Sequence, residues 1–344
     1  MKVCVLCKVA LIPPPPLPPP QQPQTLHPSP MKFEDIDNLD QAACRQAMID
    51  YTAENCCYDS IAVKEMTITR HNGLTAYHYT LETFTESRQT ECKREPHRGG
   101  RVDGPENGPS PSPWDVLCNA EKIFHNQEKK IKIPHTEYVR PCNDCMGLGY
   151  IQCSECRGSG TKDCSCRKWS HNRECDRLLG SNERNTCHSC QGGILKCDKC
   201  SSKGKATCTK CAGSGNMKTF TELTVKFTNH VSDYVFERSD MPNHLVKEVT
   251  GKVVFEQDLD QVFPLTSYPI PEINNNSIRI VNEHKRAFPN ERIIRQRQRL
   301  LAVPVTEVHF TWKDTRSRYW IYGMERKVYA PDFPHQCCCG CTVL

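Results

Sequence analysis

Thirteen of the chain's 24 cysteines lie between Cys142 and Cys211, and twelve of these form six close pairs. The pairs are Cys142/Cys145, Cys153/Cys156, Cys164/Cys166, Cys187/Cys190, Cys197/Cys200 and Cys208/Cys211. Five are Cys-x-x-Cys, and Cys164/Cys166 is Cys-x-Cys. This spacing lets both sulfurs of a pair face one ion, and zinc favours four thiolates in a tetrahedron with bonds of about 2.3 Å. Glycines follow three pairs in full, at Gly147/Gly149, Gly158/Gly160 and Gly213/Gly215. They permit the tight, left-handed turn that wraps backbone amides around a sulfur. The pattern is altered at Gly192/Gly193 and reads as lost after Cys200, where Ser-Ser-Lys-Gly follows. One Cys-x-x-Cys is a weak signal, but six pairs in 70 residues are a strong one. Twelve thiols fill three tetrahedral sites and leave Cys175 over, so the expected cofactor is Zn²⁺, two or three ions.

Two pairings remain open. Sequential pairing closes the shortest loops, which loop entropy mildly favours. Nested pairing folds the segment into an antiparallel hairpin. Its outer site is Cys142, Cys145, Cys208 and Cys211, its middle site Cys153, Cys156, Cys197 and Cys200, and its inner site Cys164, Cys166, Cys187 and Cys190. The steps support nesting: first cysteines advance by 11 and 11 on the outgoing arm, then by 10 and 11 on the return. A ladder needs matched steps, whereas sequential sites do not constrain them.

Repeated Cys-x-x-Cys-x-Gly-x-Gly resembles the DnaJ-type cysteine-rich zinc domain over about 75 residues. The resemblance implies nested repeats projecting from a β-rich substrate-binding region. Six pairs stand where that domain has four, so the third site rests on spacing alone. The wider layout resembles the SSUH-two (Ssu-two homologue) family, with Pro113 to Val116 (PWDV) and PHTEYVRPC before the first pair fitting it. The resemblance implies a DnaJ-like centre with flanking regions of its own, and a role in tooth development is attributed to one member. A J-domain needs His-Pro-Asp, and none of the 13 histidines is followed by Pro-Asp. Stimulation of a chaperone ATPase is therefore not expected, while holding or binding a protein partner is.

The elements that position these cysteines are expected to be α+β. A small α/β N-terminal region and a β-rich C-terminal region would flank a protruding, zinc-bound antiparallel hairpin. Residues 1–30 read as a disordered Pro-rich tail, 31–92 as an N-terminal α+β region and 93–113 as a linker. Residues 114–141 read as a strand-rich lead-in, 142–215 as the zinc domain, 216–336 as a C-terminal α+β region and 337–344 as a Cys-rich tail. NLDQAACRQAMIDYTAENC predicts a helix capped at Asn38 or Asp40. IAVKEMTITR and LTAYHYTLETFTES predict two strands turned at His71-Asn72-Gly73. SDMPNHLVKEVTG predicts a helix capped by Ser239 or Asp240, and SIRIVNEHKRAFP a helix ended by Pro289. RIIRQRQRLLAVPVTEVHFTW and YWIYGMERKVY predict two strands joined near Lys313 to Ser317, with Phe310, Trp312, Trp320 and Tyr322 on one apolar face. Arg295, Arg297 and Arg299 alternate on what reads as a solvated face. Cys44, Cys56, Cys57 and Cys92 lack ligand spacing and read as core or incidental.

Lys8 interrupts the short apolar N-terminal stretch and proline ends it, which fits neither a signal core nor a membrane span. A reducing compartment is expected, cytoplasmic with the nucleus as alternative, where clustered cysteines bind metal rather than form disulfides. From Pro141 to Asn216 stand twelve Lys and Arg against seven Asp and Glu. Once twelve thiolates hold three Zn²⁺, the module is near neutral rather than a phosphate-binding patch. The ending Cys341-Thr-Val-Leu344 fits a prenylation motif, with Cys337, Cys338 and Cys339 as palmitoylation candidates, so membrane association is expected only through lipid.

The leading reading is non-enzymatic: a protein-interaction module or chaperone-like adaptor with a protein partner and no small-molecule substrate. The alternative is a nucleic-acid-binding or transcriptional zinc protein. A thiol–disulfide oxidoreductase stands third, because the pairs lie in glycine turns and not at a helix N-terminus.

Overall fold

The computed structural model describes residues 10–15, 39–54, 58, 60–164 and 194–334. Most of the Pro-rich tail lies outside the described residues, as do Cys56, Cys57, Cys166, Cys175, Cys187, Cys190, Cys337, Cys338, Cys339 and Cys341. The chain divides into two compact units: residues 1–12, 88–118 and 129–225 form one, and residues 13–87, 119–128 and 226–344 the other. It passes between them inside two long strands, β2 (Thr67–His97) and β9 (Asn216–Phe236). Strand outweighs helix in a mixed α+β fold.

In the second unit β2 pairs antiparallel with β11 (Arg292–Trp312), from Glu86 opposite Arg292 to Thr67 opposite Thr311. The other edge of β11 carries two strands in succession: β10 (Lys252–Leu259) beside residues 296–302 and β12 (Thr315–Tyr322) beside residues 305–312. β13 (Lys327–Tyr329) pairs with β12. Arg295, Arg297 and Arg299 are half-exposed and each is ion-paired at 2.6 Å, to Asp258, Glu82 and Glu256. The alternating arginines thus find their anions across the strands of their own sheet.

Helix α1 (Gln41–Glu54) starts at Asp40, whose carboxylate accepts the amide of Ala43 at 2.7 Å. Such a cap is worth about 1 kcal/mol. With α2 (Ser60–Glu65), α1 packs Cys44, Met48, Ala62 and Val63 against Val308, Phe310, Tyr319 and Ile321. Burial pushes the Cys44 thiol up to about 11, as expected of an inert core cysteine. A third helix, α3 (Asn243–Lys247), packs Val246 with Val303, Val305, Trp320 and Tyr322. The fourth, α4 (Pro271–Ala287), buries Ile273, Ser277, Ile280, Val281 and His284 along one helical stripe, near Tyr79, Leu81 and Leu300.

Several sequence expectations give way here. The stretch 60–65 is helix and not strand. His71-Asn72-Gly73 does not turn: Asn72 pairs with Glu307 and Gly73 with Thr306 inside an unbroken β2. A long facing strand supplies ladder bonds that outweigh a two-residue turn preference. α3 begins after Pro242, so neither Ser239 nor Asp240 caps it. The aromatic stripe splits. Val308 opposes Tyr319 and Phe310 opposes Ser317, so Phe310 shares a face with Tyr319 and Ile321, while Trp320 and Tyr322 point to the α3 side. Residues 319–322 of β12 are buried on both faces, and register decides which residue meets which core.

In the first unit β1 (Ala10–Ile12) pairs with β2 at Arg88–Thr90. β3 (Gln127–Lys132) and β4 (Tyr138–Pro141) both pair with β9. The Gly- and Pro-rich stretch after β2 is tied down by side chains. Asp103 accepts the His135 amide at 3.0 Å, and the Arg88 guanidinium donates to the carbonyls of Pro113 and Val116. Two further ladders follow: β5 (Tyr150–Gln152) with β8 (Lys205–Thr207), and β6 (Thr161–Asp163) with β7 (Ile194–Lys196). Tyr138 faces Thr219, Tyr150 faces Thr207 and Thr161 faces Lys196. Both arms advance by equal steps between these pairs, so the three ladders share one antiparallel register.

Candidate metal centre

Between successive ladders each arm makes a tight turn carrying one cysteine pair. Four sulfurs therefore converge from the two arms at each interval. Cys142, Cys145, Cys208 and Cys211 form one buried tetrad, and Cys153, Cys156, Cys197 and Cys200 the other, with all sulfurs of a tetrad within 4.8 Å. Across the arms, Cys142 and Cys208 are 3.9 Å apart and Cys145 and Cys211 3.7 Å. Cys153 and Cys197 are 3.7 Å apart, and Cys156 and Cys200 3.6 Å. Disulfide sulfurs sit at about 2.05 Å. A regular tetrahedron with bonds of about 2.3 Å has edges of about 3.8 Å. The tetrads match the second figure, so soft donors, number and spacing all fit zinc.

The turns repeat one backbone design four times. After each second cysteine the chain turns left-handed, with φ of 51° at Met146, 49° at Arg157, 46° at Ser201 and 48° at Ala212. Three residues further on, a glycine amide donates to that cysteine's sulfur: Gly149 to Cys145 at 3.2 Å, and Gly160 to Cys156, Gly204 to Cys200 and Gly215 to Cys211 at 3.3 Å. The carbonyl of the same glycine accepts the amide of the first cysteine on the facing arm. Cys142 donates to Gly215 at 2.8 Å, and Cys208 to Gly149, Cys153 to Gly204 and Cys197 to Gly160 at 3.0 Å. A Cβ at Gly204 would lie 2.2 Å from the Gly158 carbonyl oxygen, and at Gly149 2.3 Å from that of Gly213, so no side chain fits.

The turn after Cys200 corrects the expectation that its glycine rule is lost. Only the first glycine is replaced, by Ser202 at φ 65°, and Gly204 keeps the second position with both hydrogen bonds. The signal was present in the sequence, because the second glycine stands four residues after the second cysteine in all four turns.

At Cys156, Cys197 and Cys211 burial favours the neutral thiol. At Cys156 the Gly160 amide and Cys200 overcome it, and the thiol falls to about 6. At Cys211 the Gly215 amide and Cys145 likewise bring it down to about 7. Burial prevails at Cys197, which is pushed up to about 11. The amides thus favour the anionic form, which is the form that ligates metal. Lys162 and Lys199 both pair with Glu155, joining the arms beside the second tetrad.

Of the sequence-predicted inner site only Cys164 is described; it is 3% exposed and directly follows β6. Cys166, Cys187 and Cys190 lie outside the described residues, as do Cys337, Cys338, Cys339 and Cys341. Among the described residues the two tetrads are the groups with metal-ligand spacing. No helix among the described residues is long and apolar enough to cross a membrane.

No family model matches the chain, and no solved structure matches it. A Danio rerio protein named Protein SSUH2 homolog is 36% identical over 333 residues, covering 95% of this chain and 89% of its own length. A Homo sapiens protein of the same name is 32% identical over 334 residues, covering 96% and 87%. A Mus musculus protein of that name is 31% identical over 121 residues, covering 35% of this chain and 36% of its own. Identity above 30% over nearly the full length of two relatives settles the relationship: the chain belongs to the SSUH2 homolog family.

Proposed function

We propose that the chain is a non-enzymatic, zinc-binding protein-interaction module acting as a chaperone-like adaptor, in the cytoplasm or nucleus. The observation that carries this reading is the pair of closed, buried four-cysteine groups at tetrahedral spacing. Four thiolates leave no ligand position for water or substrate, so such a site supplies folding energy and not Lewis-acid chemistry. The likeness of its repeats to the DnaJ-type cysteine-rich domain supports a role in protein binding, and the missing His-Pro-Asp argues against driving a chaperone ATPase. A third ion at Cys164, Cys166, Cys187 and Cys190 belongs to the proposal. Its support is the burial of Cys164 directly after β6, together with the matched steps of the cysteine pairs in the sequence.

Elemental analysis of the purified protein tests this directly. Three zinc ions per chain are expected, and Cys153→Ser with Cys197→Ser should remove one. Two ions would restrict the proposal to the two described tetrads. Absence of metal after preparation in zinc-containing medium would overturn it.

A further inference from the structure

Beside the outer tetrad lies a cleft of about 420 Å³, floored by one face of β2, β9 and β4. Side chains alternate along a strand, so the two faces of these strands carry different sets of charges. One face is internally neutralised. Lys218 pairs with Glu95 at 2.8 Å and Glu137 at 3.5 Å, Lys132 with Glu137 at 2.8 Å, and Lys93 with Glu91 at 2.8 Å. The cleft face is not. Arg94 and Arg140 come from the strands and Lys210 from the return-arm turn of the tetrad, all exposed, and among the described residues no carboxylate forms an ion pair with any of them. Arg140 rests on the ring of Tyr138, 4.9 Å from its centroid. Between the strand arginines β9 presents Met217 and Thr219, and Met217 packs directly on the outer tetrad. Among the described lining residues the one acid, Asp144, belongs to the turn of the outer tetrad.

We propose that this cleft binds an extended acidic peptide segment of a protein partner. This rests on the protein-interaction reading above and names the chemistry of its partner. Arginine forks take carboxylates in bidentate fashion. Met217 and Tyr138 offer a seat for an apolar side chain between two acidic ones. Asp144 disfavours acid at one end and so sets the direction of the peptide. Nucleic acid fits less well, because a phosphate backbone needs a continued run of cations and the cleft offers three against one acid.

The test uses the full chain and fluorescence anisotropy. The probe is a labelled ten-residue peptide of alternating glutamate and leucine. The comparisons are the same peptide with glutamine for glutamate and a ten-nucleotide uridine RNA. The acidic peptide is expected to bind about tenfold or more tighter than the glutamine peptide, and to weaken as salt rises. Arg94→Glu with Arg140→Glu should cost about tenfold or more in affinity with metal content unchanged. Equal binding of the glutamine peptide, full affinity in the double variant, or tighter binding of RNA than of the acidic peptide overturns the proposal. Should the double variant lose its fold, the salt dependence and the glutamine comparison on the unaltered chain decide. Zinc measured in the same samples separates the two readings: loss of peptide discrimination with zinc present rejects the cleft alone, while absence of zinc rejects the metal module.

Discussion

The chemistry of the module resides in single backbone positions as much as in the thiols. Gly204 gives its amide to the Cys200 sulfur and its carbonyl to the Cys153 amide, and faces the Gly158 carbonyl at a distance that excludes a Cβ. Gly204→Ala should weaken metal at the tetrad of Cys153 and Cys197 by about tenfold to a hundredfold, as loss of supporting groups does elsewhere, while the outer tetrad is spared. Competition with a chromogenic chelator, resolved into two release steps, reads this. Ser202 sits at φ 65° where the three sister turns have glycine. Ser202→Gly should therefore tighten the same tetrad, by about 0.5–1 kcal/mol once strain relief is set against glycine's entropy. Unchanged or faster release in that variant would contradict this account of the turn.

At the scale of elements, long-range pairing overrides local preference. Gly73 lies inside β2 opposite Thr306 and not in a hairpin turn. Gly73→Thr should accordingly raise stability by roughly 0.5–1 kcal/mol, since glycine weakens a strand interior; a lower urea midpoint would point back to a turn. The packing of α4 carries a pH signature. His284 is 5% exposed, bonded through Nδ1 to Thr83 and through Nε2 to Ser232, both at 2.8 Å. Burial, reinforced by His230, holds it below its ordinary value of 6.5. The folded form therefore binds its proton less readily than the unfolded chain. Its contribution is complete above about pH 6.5 and is lost as pH falls through the folded value. Urea unfolding should show stability falling on acidification, with a shallower fall in His284→Gln.

At the scale of the molecule, the two units hold their cores by different means. The second has three clusters of packed apolar side chains between sheet and helices. The cysteine ladders of the first bury mainly thiols, and Met146, Leu148, Tyr150 and Ile151 stand exposed there. Hydrophobic burial alone cannot hold such a segment, whereas structural zinc contributes on the order of 10 kcal/mol per site. Chelation should therefore release hydrogen-exchange protection over 142–164 and 194–211 while the amides of β11 and β12 stay protected. Protection of the cysteine ladders that survives chelation would mean that packing, not metal, holds them.

Local chemistry is what the amino-acid sequence determined by itself. Ligand type, pair spacing and the left-handed glycine turns follow from covalent geometry within five or six residues, so the ligand pairs could be named before any fold was known. Matched steps on two arms also pointed to nesting, because a ladder carries one register along its whole length. Only the tertiary structure could choose the nested partners, read Asn72-Gly73 as mid-strand, and divide the aromatic stripe of β11 and β12 between two cores. Those outcomes depend on which strand lies opposite, and a one-residue change of register sends the same side chains to the other face. The pairing of Arg295, Arg297 and Arg299, against Arg94 and Arg140 with no ion pair among the described residues, was likewise invisible in sequence, because anions come from segments far away along the chain.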